Sequence, residues 1–184
     1  RLLPPAHRDA ERPLFASASI DYEFQPIAAV AAPTRARALA AVAAVRATVD
    51  PAPVVADLES IFPEWPGSDA AGSPSVAAHV HAVRGDVEAA FGEADRVVRE
   101  IYRTSSVHQV ALEPHACLAR VDGDRWTVRT STQSPFGTRE DLATMLGLPE
   151  SALVVEGTWV GGGFGGKGAP LLEPYALLLA KASG

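Results

Sequence analysis

Apolar residues gather in short runs of four to eight, separated by Gly, Pro, Asp and Ser, and three stretches show helical spacing instead. After Phe24-Gln25-Pro26, the run Ile27–Ala32 predicts a short strand. Thr34 then supplies an N-cap for a helix to about Arg46, with Leu39, Val42 and Ala43 on its buried stripe. Ala47–Val49 predicts a second short strand, and Asp57–Phe62 one or two helical turns. Residues 63–83 form a linker, rich in Pro, Gly, Ser and Asp from Pro63 to Ser75, with Trp65 inside it. Asp86 caps a helix over Val87–Glu93, where Val87, Ala90 and Phe91 share a face. Strands are expected near Arg96–Ser105, Ala116–Val121 and Trp126–Thr132, the last two joined by the turn Asp122-Gly123-Asp124. Pro135 opens a helix that carries Leu142, Met145 and Leu146 inward and Arg139, Glu140 and Asp141 outward, and Gly147 stops it. A strand over Ala152–Val160 leads into Gly161-Gly162-Gly163-Phe164-Gly165-Gly166-Lys167, and a helix-permissive segment runs from Pro170 to Ala182. The pattern is α+β, without internal repeats.

A net charge of -6 and a pI near 5.3 argue against nucleic acid or anionic lipid as the main partner, and no apolar run is long enough to span a membrane. The single cysteine, Cys117, allows neither an internal disulfide nor a thiolate-ligated iron–sulfur cluster, which fits a reducing, cytoplasmic setting. The chain begins at Arg1 and stops at Gly184, and both ends read as cut.

Five glycines around one aromatic residue suit a backbone that must approach another group closely, and its N–H groups could hold an anion or an oxo group. A tight mobile turn is the plainer reading. Gly161-x-x-x-x-Gly166-Lys167 also matches a nucleotide phosphate loop up to its last position, where Gly168 replaces the hydroxyl that would bind magnesium. That leaves a nucleotide-binding module using Gly161–Lys167 as the alternative function. Gly161-x-Gly163-x-x-Gly166 fits the dinucleotide fingerprint, without an acidic residue about 20 positions on. His108, His115 and Cys117, or His79 and His81, invite a metal site, yet no second ligand pair at zinc spacing accompanies them. Glu113 and His115 read either as an acid–base pair or as hydrogen-bonded anchors of a strand start. Cys117 has no evident activating neighbour and suits a small buried position. Arg84-Gly85-Asp86 reads as a helix start. Gln133, between a strand and a helix, could donate its amide to an oxygen beside the helix N-terminus.

Together, His108-Gln109-Val110-Ala111-Leu112-Glu113-Pro114-His115, Ser131-Thr132-Gln133-Ser134-Pro135 and Val160–Lys167 resemble the large subunit of the molybdenum hydroxylases, the family of xanthine dehydrogenase, aldehyde oxidase and carbon monoxide dehydrogenase. Asp21–Asp57 resembles the later part of that family's α/β hammerhead domain, and Arg84–Phe91 the lead-in to its molybdopterin domain. The resemblance implies part of a hammerhead domain over residues 1–62, the linker 63–83, and the N-terminal part of a molybdopterin-binding α+β domain over 84–184. It implies a molybdenum–pterin cofactor, in most members of the family without a protein ligand to the metal. Gln133 matches the glutamine that hydrogen-bonds a molybdenum oxo group, and Gly162, Gly163, Phe164 and Gly165 match the loop passing the metal, with Phe164 shaping the substrate funnel. Iron–sulfur and FAD centres on other subunits or domains, an oligomeric assembly and a small-molecule substrate come with the family. Its catalytic base is a glutamate far toward the C-terminus, so no catalytic residue is expected within these 184 residues, which alone should be inert. Gly168 stands where purine-oxidising members tend to carry an acidic residue, which leans toward an aldehyde, another carbonyl-like compound or a heteroaromatic. The carbon monoxide branch's cysteine-bearing loop is not found.

Overall fold

The computed structural model describes residues 13–53 and 80–184. These fall into two units, one of residues 47–53 and 80–105, the other of residues 13–46 and 106–184. The expected turns at Asp57–Phe62 and most of the linker lie outside the described residues.

In the first unit the regular element is a helix at Val87–Glu93, and its N-cap Asp86 accepts a hydrogen bond from the Ala89 N–H at 2.9 Å. The larger unit contains the helix α1 at Arg35–Ala44, and the Val87–Glu93 helix of the first unit is α2. Thr34 caps α1 by accepting from the Arg37 N–H at 3.3 Å. The expected buried stripe is not realised: Leu39 is 53% exposed, Val42 is exposed, and α1 buries none of its residues.

Three strands follow in the larger unit: β1 (Cys117–Asp122), β2 (Arg125–Thr130) and β3 (Leu153–Gly157), in the order β1-β2-β3. β1 and β2 form an antiparallel hairpin through Gly123, with Val121 opposite Trp126 and Cys117 opposite Thr130. β3 lies parallel to β2, with Trp126 beside Leu153 and Thr130 beside Gly157. A parallel neighbour needs a crossover, supplied here by α3 (Pro135–Leu146), which Gly147 ends in the left-handed conformation at φ 64°. The helix α4 spans Glu173–Ser183.

Alternation along the strands turns Trp126, Val128 and Leu153 to one face, where Leu142 and Ala143 of α3 and Leu177 of α4 cover them. Cys117, Ala119, Val121, Leu146 and Val155 extend this core. Each fully covered leucine or valine contributes about 1.5–3 kcal/mol. The opposite face carries Leu118, Arg120, Arg125, Arg129 and Glu156, and the groove over it, about 460 Å³, is largely charged. Asp141, expected outward, is buried. The expected strands at Ile27–Ala32, Ala47–Val49 and Arg96–Ser105 are not strands: no neighbouring ladder among the described residues satisfies their backbone. Leu14 and Phe15 meet α4, where Tyr175 donates to the Leu14 carbonyl at 2.7 Å and stacks edge-on with Phe15.

Candidate functional site

The sheet register itself brings the three motifs together. Cys117 opens β1 opposite Thr130, which closes β2, and Thr130 lies beside Gly157, which closes β3. Residues just before β1, just after β2 and beyond β3 therefore meet at one end of the sheet. The Glu113 N–H donates to the Gly161 carbonyl at 3.3 Å, the Thr158 N–H to the Thr130 carbonyl at 3.0 Å, and the Gln133 N–H to the Lys167 carbonyl at 2.9 Å.

Gln133 is clasped by the glycine loop. Its Oε1 accepts from the N–H groups of Gly165 and Lys167, each at 3.2 Å. Two main-chain donors on one oxygen decide the amide's orientation and leave Nε2 as its donor end. The side chain lies so close to Gly163 that a Cβ there would sit 2.5 Å from Oε1. Gly161 is equally confined, since its Cβ would meet the Glu113 Cβ at 2.7 Å. At the loop's apex Phe164 takes φ 51° and remains 74% exposed, and Gly162 and Gly165 on either side also have positive φ. The loop's amides are divided in use. Gly161 donates to Glu113, Gly165 and Lys167 to Gln133, and Gly166 to the Gly163 carbonyl. The N–H groups of Gly162, Gly163 and Phe164 have no acceptor among the described residues. So Gly165, expected to face a bound group, spends its amide on Gln133.

Beneath the loop lies a charged junction that sequence reasoning missed. Oε2 of Glu113 accepts from Lys167 Nζ at 2.5 Å, Ser131 Oγ at 2.7 Å and the Gly161 N–H at 2.8 Å. Lys167 is 2% exposed, whereas the Glu113 side chain is about one-third exposed. The Lys167 ammonium, with the Ser131 hydroxyl and the Gly161 N–H behind it, lowers the Glu113 pKa to about 2. A carboxyl held that low does not exchange protons near neutrality, and His115 bonds elsewhere, its Nε2 2.9 Å from the Gly166 carbonyl. The two residues are anchors, not an acid–base pair. The same junction removes the phosphate-loop alternative, because the lysine that would reach phosphates is buried against Glu113. Burial, and secondarily the Glu173 carboxylate, pushes the Cys117 thiol up to about 11, which suits a packing role. Among the described residues no three His, Cys, Asp or Glu side chains gather as a metal site, and no helix is long and apolar enough to cross a membrane.

The molybdopterin cofactor-binding domain model matches residues 70–184. The probable hypoxanthine oxidase XdhD of Escherichia coli (strain K12) is 36% identical over 99 residues, 54% of this chain and 10% of that protein. The nicotinate dehydrogenase large molybdopterin subunit of Eubacterium barkeri is 41% identical over 88 residues, 47% of this chain and 21% of that one. The nicotine 6-hydroxylase large subunit of Paenarthrobacter nicotinovorans is 31% identical over 170 residues, 91% of this chain and 21% of that one. The chain thus spans between a tenth and about a fifth of these relatives. With the family model across well over half its length, it belongs to the molybdopterin-binding large subunits of the molybdenum hydroxylases.

Proposed function

We propose that these residues form part of a molybdenum hydroxylase that oxidises an aldehyde or heteroaromatic substrate with oxygen taken from water. The observation that carries this reading is the mutual clasp of Gln133 and the glycine loop, which leaves a neutral amide donor beside three consecutive main-chain N–H groups. That donor set fits an oxygen-bearing group held by its own pterin, since it offers hydrogen bonds and neither thiolate nor imidazole. Gln133, Gly162, Gly163 and Phe164 would hold the group, and Gly165 would act through Gln133. Bound there, a molybdenum–pterin cofactor supplies two-electron oxidation, with electrons passing to iron–sulfur and FAD centres on partner subunits or domains.

The chain's own part is to orient. Fixed dipoles that need no rearrangement stabilise charge as it develops on oxygen. The exposed ring of Phe164 would border the substrate's approach, and Gly168 keeps an acidic side chain away from it. The names of the relatives include purine, nicotinate and nicotine oxidation, so they support the heteroaromatic class without narrowing it. Residues 1–62 would belong to a hammerhead domain, 63–83 to a linker and 84–184 to the molybdopterin domain of a cytoplasmic, oligomeric enzyme. Taken alone, the 184 residues would turn over no substrate, the catalytic base lying elsewhere in the enzyme.

The test uses the full-length protein, assayed for molybdenum, pterin and oxidation of a panel of aldehydes and N-heterocycles. Gln133→Ala is expected to lower kcat/KM by roughly 100-fold or more while leaving the fold intact. A parent protein that binds no pterin, or a Gln133→Ala variant with unchanged turnover, would sink the reading.

A further inference from the structure

We infer that Glu113 and Lys167 are positioning residues: their ion pair, in which the lysine is buried and the glutamate partly exposed, ties both ends of the glycine loop to the strand ends and thereby sets the direction of the Gln133 amide. The inference rests on the function proposed above.

One oxygen does the tying. Glu113 Oε2 joins the segment before β1 to Ser131 after β2, to Gly161 at the loop's start and to Lys167 at its end. Lys167 is attached twice over. Its ammonium meets Glu113, while its main-chain N–H donates to Gln133 Oε1 and its carbonyl accepts from the Gln133 N–H and the Thr132 hydroxyl. The placement of the lysine backbone is therefore the placement of the glutamine amide. A buried ammonium holds its position only while its counter-charge is there; without the carboxylate it must move toward water and take its main chain with it. Lys167 is buried with its ammonium on Glu113, so it holds the loop and is not offered to a ligand. The low pKa of Glu113 agrees, since the carboxylate stays ionised across the range in which an enzyme works.

The test compares Glu113→Gln, Ser131→Ala and the double variant Glu113→Gln/Lys167→Met with the parent, in the full-length, pterin-loaded protein. The readouts are hydrogen exchange of the peptide covering residues 159–168, pterin content, and kcat separated from KM. Glu113→Gln is expected to speed exchange in the loop by about tenfold. Its kcat should fall roughly 10- to 100-fold, with KM and pterin content near those of the parent. Ser131→Ala, which keeps the ion pair and loses one donor, should shift both readouts the same way by a smaller factor, and it remains informative should Glu113→Gln not fold. The double variant, which buries no lone charge, should regain thermal stability without regaining kcat. Unaltered loop exchange in the single variants, or full kcat in the double variant, overturns the positioning role alone. A parent free of pterin overturns the functional reading and the positioning role together.

Discussion

At Gly163 the molecule has no space for even a methyl group, because Oε1 of Gln133 already occupies the place where a Cβ would go. Gly163→Ala should therefore destabilise the protein by about 1–3 kcal/mol and turn the Gln133 amide aside, which denaturant unfolding and turnover would register together. Glu113 makes a second prediction at this scale. Its folded pKa of about 2 lies below the ordinary 4.5, so its contribution to stability is fully present above pH 4.5 and is lost as pH falls toward 2. Acid titration followed by exchange at Gly161 and Lys167 should show the loop intact at pH 5 and loosening below about pH 4. A loop that loosens on the alkaline side instead would contradict the assignment. The types of residue at this site were readable from the chain, since Gln133 and the glycines announce themselves by their surroundings. The Glu113–Lys167 pair was not, because nothing local links residues 54 positions apart.

Among the elements, the helices were legible and the isolated strands were not. Thr34, Asp86, Pro135 and Gly147 each act within a few residues of themselves, so the starts of three helices and the stop of one follow from local chemistry. The hairpin at Gly123 is local in the same sense. An extended segment becomes a strand only when another strand satisfies its backbone, so Ile27–Ala32 and Arg96–Ser105 could not be judged from their own apolar residues. Helix periodicity also leaves open which polar residue is drawn inside, as Asp141 shows. Glu173 was equally hidden: it sits buried at the start of α4, where Oε1 accepts from the Thr130 hydroxyl at 2.6 Å and Oε2 from the N–H groups of Leu171 and Leu172. It fixes the helix to the end of β2, one residue from the charged junction. Glu173→Ala should lower stability by about 1–3 kcal/mol, measured by thermal or denaturant unfolding, with the loss arising from donors left without an acceptor.

At the scale of the molecule, apolar side chains on two helices are exposed among the described residues. Leu39 and Val42 on α1 and Phe91 on α2 are exposed. Such surface favours association, so the 184-residue chain by itself should form concentration-dependent oligomers by light scattering. Leu39→Lys with Val42→Lys should reduce them; a strictly monomeric chain at high concentration would refute the expectation. The sheet, by contrast, has one face covered at its centre, and its register is what assembles the site from three distant motifs.

The shared carboxylate oxygen of Glu113 has a consequence for engineering. Ser131, Gly161 and Lys167 converge on it from separate stretches of the chain. A glycine loop transplanted into a host without the matching glutamate would bring along a lysine ammonium stranded in the interior. The bend, the glutamate and the serine are therefore one inheritable part, to be moved as a set or left alone.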